Sequence, residues 1–523
     1  MTMSNILAML VSALGAQNAA QEPYSGAPAL RVPAALFVRA AELLKSADSR
    51  LCAEWAADDT AFGRSFSVWA AYNRGAEYIV VTSDLPKDAP SFPTLTKHYV
   101  AAYRFERQIM GLMGVKADGH PDMRPWIKHE DWPADAYPLR KSFDAAVALP
   151  RVEGRYEWIK ANGEGVFEIP VGPVHAGIIE PGHFRFQAVG ERILNLEEKL
   201  GYVHKGIEKR FESLSWEEGA RLAGRISGDT TVAHALAYSL AVENAAGFFA
   251  PVRAAWVRAL LLERERMCNH LADLAAICND VSFTFGYYQF GLLREKLLRT
   301  NHRLFGHRLM MDRVMPGGVS VDITDGGEGE IIAETGELME EYERLINIYD
   351  DNPSLKDRLY GSGALSPAKA KDMGVVGIAG RASGQEVDAR RQYPFLPYDA
   401  VIPKSIVLRS GDAHARAWVR IEEVRDSARL SLELLQKMPQ GKIFATPPAL
   451  VPDAKGFSAV EGWRGEIICW VHAGPGGKPN RCMVRDPSAV NWLALEQSVK
   501  EDMVPDFPLV NKSFNNSYSG NDL

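Results

Sequence analysis

The sequence predicts an α+β protein: a small N-terminal α/β domain over residues 1–150, then a mainly helical domain over residues 151–523 with small β elements. Three observations predict it. Residues 30–151 mix strand-like alternation with helical spacing. Beyond residue 189, apolar residues recur at helical spacing over stretches much longer than a strand. Near the C-terminus, two β-type runs flank the Gly- and Pro-rich turn 473–479. At 523 residues and 46% hydrophobic, the chain can bury a core large enough to divide between two domains.

Residues 6–14 are apolar with no Lys or Arg before them, so they lack the charged region of a secretory signal and are expected as a packing helix. A helix over 34–44, strands over 65–72 and 77–82, and a helix over 95–113 follow. Residues 119–141 are crowded with Pro, Trp and charge. Each Pro fixes φ and removes an N–H donor, so this stretch is expected as an extended arm. Strands are predicted over 166–171 and 184–189, and long helices over 216–249, 250–278, 292–314, 330–348 and 415–438. A hairpin is predicted from 466–472 and 480–485.

Composition removes several function classes. Lys and Arg number 59 against 66 acidic residues, a formal charge of -7, so phosphate-dominated binding of nucleic acid is excluded and acidic lipid is not strongly attracted. The apolar stretch 234–262 is interrupted by Glu243, Arg253 and Arg258. No run reaches the roughly 20 apolar residues that cross a bilayer, so membrane association is expected through partners. Cys52, Cys268, Cys278, Cys469 and Cys482 form no CxxC pair and suit a reducing cytoplasm. No glycine-rich strand-to-helix turn is present, and the glycines at 474–477 lead through Lys478 into Pro479, which makes a hairpin turn and not a phosphate loop.

Chemistry concentrates in a series of ordered motifs. They are Gly172-Pro-Val-His175, Gly201-Tyr-Val-His-Lys-Gly-Ile-Glu-Lys209, Arg225-Ile-Ser-Gly-Asp-Thr-Thr-Val-Ala-His234 and Glu263-Arg-Glu-Arg-Met-Cys-Asn-His270. Pro316-Gly-Gly-Val319, Arg381-Ala-Ser-Gly384, Asp388, Arg390, Gly411-Asp412, Arg416, Arg464-Gly-Glu466 and the tail from Asp506 to Phe514 continue the series. Together they resemble the large subunit of energy-converting, membrane-bound nickel-iron hydrogenases of the formate hydrogenlyase type. They also resemble its homologue, the quinone-pocket subunit of respiratory complex I. In the first domain, Glu106-Arg107, His120-Pro-Asp122, Trp132 and Pro138-Leu-Arg-Lys141 are similar to the small peripheral-arm subunit of complex I.

The resemblance implies four cysteine ligands for nickel and iron, two in an early R-x-C-G-x-C-x-x-x-H motif and two in a terminal C-x-x-C. Here those four positions hold Ser227, Thr230, Ser517 and Gly520. A neutral hydroxyl is a weak substitute for a thiolate and glycine offers no side chain, so no nickel-iron centre is expected. For quinone, the resemblance implies a second histidine and a tyrosine at positions that hold Ile179 and Gly228. His175 remains, with His183 nearby, as the candidate lining of a quinone-type cavity.

Glu263, Arg266, His270 and Asp273 share one helix face and are open to two readings, a solvated charged stripe or a buried proton relay. Glu208 resembles a carboxylate beside a magnesium ion and is a candidate ion site, with pairing to Lys205 or Arg225 as the alternative. Arg464 resembles the arginine that overhangs the family's metal site, and His234 lies one turn beyond Thr230. With Glu263, these two make the candidate catalytic or relay set.

The expected role is a core peripheral subunit on the cytoplasmic side of the inner membrane. It would bind no cofactor of its own and couple an iron-sulfur small subunit to antiporter-like and other integral membrane subunits, with a ferredoxin-like subunit as a further partner. Direct electron transfer from a partner's cluster to quinone or another small acceptor is the alternative enzyme reading. A non-catalytic scaffold is the third.

Overall fold

The structure is a computed structural model that describes residues 5–129, 131–324 and 326–523. Helix takes 43% and strand 17%, in several small sheets, which is the α+β class the sequence predicts. Asn5–Leu14 is the expected packing helix, burying Ile6, Leu7, Leu10 and Leu14 along one face.

The N-terminal sheet has five strands in the spatial order Ala20–Gln21, Ala29–Arg31, Glu77–Asp84, Phe66–Arg74, Arg50–Asp58. The short Ala29–Arg31 strand runs parallel to Glu77–Asp84, and the other pairings are antiparallel. Arg50–Asp58 escapes sequence prediction because its alanines and Glu54 are poor strand formers. It forms because it pairs with Phe66–Arg74 along its length and is buried from Leu51 onward. The helix expected from residue 95 begins at Ala102, and Gly114 ends it in the left-handed conformation that L side chains avoid. Among the described residues of the arm at 119–141 there is no regular element, yet Trp126, Ile127 and Leu139 anchor it in the core.

A second sheet, Lys455–Gly462, Gly465–Ala473 and Pro479–Arg485, packs against the first. Trp55 and Trp69 stack with ring centroids 6.2 Å apart, and Trp470 meets them at 5.4 and 5.2 Å. Such pairs add about 1 kcal/mol each beyond area burial. Where the strands Arg50–Asp58 and Pro479–Arg485 run side by side, arginines bridge them: Arg485 Nε donates to the Cys52 carbonyl at 2.8 Å and Arg481 Nε to that of Ala56 at 3.4 Å. Burial works against a charged Glu466 at this seam. Arg50 and Arg485 on either side outweigh it and hold the carboxyl at about 2.

The helical region is built on Val252–Asp280, flanked by Thr284–Phe305 and Ala413–Lys437, with Gly327–Asp350 outside. The helix predicted over 216–249 is broken. A capping box at Ser215 and Glu218 starts Trp216–Ala223, a turn through Gly224 and Gly228 interrupts it, and Thr231–Ala245 resumes. Gly306, at φ 72°, stops Thr284–Phe305 short of the predicted end at 314. Among the described residues, no helix is long and apolar enough to cross a membrane.

Candidate functional site

The interruption between the two helices places Ser227 and Thr230 at the entry to Thr231–Ala245, and the C-terminal tail returns to them. The Ser227 and Ser517 hydroxyls lie 2.9 Å apart although 290 residues separate them. Ser227 Oγ donates to Asp229 Oδ1 at 2.8 Å and Thr230 Oγ1 to the same oxygen at 3.1 Å. Arg464 Nη1 and Nη2 donate to the two Asp229 oxygens, both at 2.7 Å, and Nη1 also donates to Thr230 Oγ1 at 3.0 Å. Arg464 Nε reaches the Asn515 carbonyl at 2.6 Å, which ties the tail in place.

Burial tends to raise the Asp229 carboxyl, but the Arg464 guanidinium outweighs it, with Ser227 and Thr230 adding hydrogen bonds, and holds it at about 2. Asp229 stands inside the motif read from the sequence. Its charge is legible there, but its pairing with Arg464 is not.

The tail closes the other side. Ser517 Oγ accepts the Gly520 N–H at 2.9 Å and caps the short helix Tyr518–Asp522. A Cβ at Gly520 would lie 2.6 Å from Cγ of Asp486, so this position has no room for a side chain unless Asp486 moves. Asp486 in turn approaches His234, with Oδ2 3.2 Å from Nε2. His234 Nδ1 faces the Thr230 carbonyl at 3.1 Å and must donate to it. Burial works to raise Asp486, and His234 and Arg464 together hold it below the usual carboxylate range.

These contacts decide whether a nickel-iron centre fits. The three side chains at the ligand positions are hydroxyls already committed to Asp229, to Arg464, to one another or to backbone, and the fourth position is occupied by a neighbouring carboxylate. The donor set does not fit the group. Among the described residues, no cluster of three or more His, Cys, Asp or Glu side chains has the arrangement of a metal site.

Glu263, Arg266, His270 and Asp273 are all buried, so the solvated-stripe reading fails. Glu263 accepts from Arg390 Nη1 at 3.0 Å, from Ser427 Oγ at 2.6 Å and from the Tyr398 hydroxyl, with Arg266 Nε at 3.3 Å. Burial again opposes the charge, and Arg390 and Arg266 hold it below the usual range. His270 Nε2 meets Glu423 at 2.8 Å, and Asp273 pairs with Arg420 at 2.7 Å. Glu263 is thus a fixed anion in a saturated knot, an arrangement that opposes the proton uptake a relay needs.

Two residues along the same helix stands an acid that sequence reasoning missed. Glu265 accepts the Val232 and Ala233 N–H groups at 2.6 and 3.1 Å and lacks an arginine partner, and burial pushes it up to about 8. The sequence signal for it is weak, since alternating Glu and Arg in Glu263-Arg-Glu-Arg266 does not reveal which acid receives a counter-ion.

Glu208 pairs with Arg481 at 2.9 Å and accepts the Val484 N–H at 3.2 Å. The expected partners are otherwise engaged: Arg225 binds Asp312, and Lys205 Nζ reaches the Ile226 carbonyl. His175 lies within the loop 172–182 and His183 follows it. His175 Nε2 lies 3.2 Å from the Tyr518 hydroxyl, and His183 Nδ1 lies 3.2 Å from the Gly172 carbonyl under the Trp158 ring. The structure therefore brings His175 to Tyr518 of the tail, and Glu208 lines one cavity with Asp486 and Gly520. Cys469 and Cys482, on neighbouring strands of the second sheet, have their Sγ atoms 4.0 Å apart.

Known proteins resemble the chain over most of its length. Residues 30–147 match the family described as the 30 kDa subunit of respiratory-chain NADH dehydrogenase, and residues 281–456 and 445–522 match that of its 49 kDa subunit. The chain is 32% identical to formate hydrogenlyase subunit 5 of Escherichia coli (strain K12), over 85% of this chain and 79% of that protein. It is 31% identical to hydrogenase-4 component G of the same organism, over 89% and 82%. The C/D polypeptide of NADH-quinone oxidoreductase from Phocaeicola vulgatus is 29% identical over 83% and 87%. A polypeptide of the membrane-bound sulfane sulfur reductase, an archaeal respiratory membrane complex, superimposes with a TM-score of 0.65 at 27% identity, covering 70% of this chain and all of that one.

Proposed function

The chain belongs to the family of hydrogenase and NADH-quinone oxidoreductase subunits in which 30 kDa-type and 49 kDa-type regions are fused, and on that premise we propose that it is a redox-complex core subunit without a nickel-iron centre. It works as a peripheral part of a membrane oxidoreductase complex on the cytoplasmic side. There it docks an iron-sulfur subunit and transmits that subunit's redox change to integral membrane partners. One observation carries the reading: Ser227, Thr230, Ser517 and Gly520 converge as the family's site requires, yet Ser227 and Thr230 are bonded to Asp229, Thr230 also to Arg464, Ser517 to Ser227 and the Gly520 N–H, and the fourth position abuts Asp486. The relatives named above, parts of hydrogenases and respiratory complexes, support the membrane partners.

Elemental analysis of the affinity-purified assembly tests it. Iron from the partner's clusters with nickel far below one per chain is expected, together with no hydrogen evolution. One nickel per chain overturns it.

A second reading, reduction of a small acceptor at this chain, is favoured by the loop 172–182. Val174 and Ile178 are 78% and 98% exposed on either side of His175, which touches Tyr518 beside the converged site. A photoreactive quinone or polysulfide-type acceptor that labels this loop in the intact assembly supports it, and labelling confined to other subunits removes it.

A further inference from the structure

A cavity lies at the seam between the two sheets, where Arg50–Asp58 and Pro479–Arg485 run side by side beneath the helix Ala102–Met113 and against the tail. Its polar lining includes Glu54, Gln108, Asp486 and Asn521. Glu54 is only 4% exposed, and neither of its oxygens has a hydrogen-bond partner among the described residues. Asp486 Oδ2, also on the cavity, has no aligned donor either.

The cations in reach are already spoken for. Arg481 is paired with Glu208 and Arg485 with Glu466, so no counter-ion is left for Glu54. The charged group that faces it from the overlying helix is another acid, Glu106, and Tyr72 faces it from the neighbouring strand. An ionised carboxylate in such a place would be buried, unpaired and repelled, which strongly favours the neutral form. The cavity volume open to water is about 40 Å³, against roughly 10–15 Å³ for one molecule. There is room for more than one water.

We propose that this cavity is a hydrated proton store: ordered water fills it, and Glu54 sits there as the neutral acid, donating its O–H to that water. The geometry is that of a polar cavity whose unsatisfied groups need a solvent partner. The burial of Glu54 and the nearness of Glu106 both raise its affinity for the proton. The site lies on residues of both halves of the chain, apart from the Glu263 knot, and meets the converged site only at Gly520 and Asp486, so a hydrated acid at Glu54 goes beyond the proposed function.

Infrared spectroscopy of the full chain tests it through the carbonyl stretch of a protonated carboxylic acid. At neutral pH the natural protein is expected to show such a band in difference against Glu54→Gln, where the bands of other neutral acids such as Glu265 cancel. In D2O the band should shift while the amides of the core remain protonated. Filling the cavity with Ala489→Leu should slow that shift by about tenfold or more without removing the band. Should Glu54→Gln fail to fold, Glu54→Asp is expected to move the band. A band identical in natural and variant protein overturns the neutral acid. A band that ignores D2O until the protein unfolds, or shifts equally fast in Ala489→Leu, overturns the hydrated cavity.

Discussion

Two regions flank the helix Val252–Asp280 and use the same residue types to opposite ends. In the Glu263 knot every carboxylate oxygen meets an arginine, tyrosine or serine, and the charge is locked. At the converged site around Ser227 the ligands are hydroxyls, the carboxylate is partly exposed, and one buried carboxylate oxygen of Asp486 faces a cavity. Glu263 and Glu265 condense the contrast into two acids on one helix, the first held low by guanidinium groups and the second raised by burial without them. Buried polarity by itself therefore does not mark chemistry. What marks it is a group whose partners are incomplete.

The strongest way to break this comparison is Glu263→Ala, which removes the carboxylate shared by Arg390 and Arg266 and leaves them only Asp388 and Glu423. A loss of about 3–5 kcal/mol in denaturant unfolding is expected, and a near-neutral result would show that the knot is not saturated. Arg464→Ala is expected to cost less, about 2 kcal/mol, because Asp229 keeps access to water.

A pH series sharpens the contrast. Glu265 binds its proton more tightly folded than unfolded, so the stability it supplies is complete below an unfolded value of about 4 and is lost as pH rises through about 8. Glu265→Gln should therefore gain on the natural protein by about 4 kcal/mol between pH 5 and pH 9 in thermal unfolding. Asp229 has the opposite sign: its contribution is present above about 4 and disappears as pH falls through about 2. The smallest effect belongs to Ser517→Ala, about 1 kcal/mol for the lost helix cap, with no change in the metal content of the assembly.

Much of this was legible in the sequence, and the reasons for the rest are physical. Helical periodicity located the long helices, and strand alternation located Glu77–Asp84, because one pattern governs local geometry and burial together. Arg50–Asp58 was hidden because tertiary pairing overrode its weak propensity. The break at residues 224–230 was hidden because apolar spacing continues across it. The convergence of Ser227 with Ser517 could be expected only from the family resemblance. The roles of Asp486, Arg481 and Glu54 could not, since each depends on which strand edge lies beside it.

The arginine-bridged seam has a consequence for assembly. Its two sheets belong to one polypeptide, so their docking is an intramolecular event with an effective concentration on the order of millimolar, set by the segment that joins them. Cutting the chain within the irregular stretch at 150–160 would turn that docking into a bimolecular equilibrium. The tryptophan contacts would be unchanged, but the joint would then come apart on dilution, as it cannot while the tether holds.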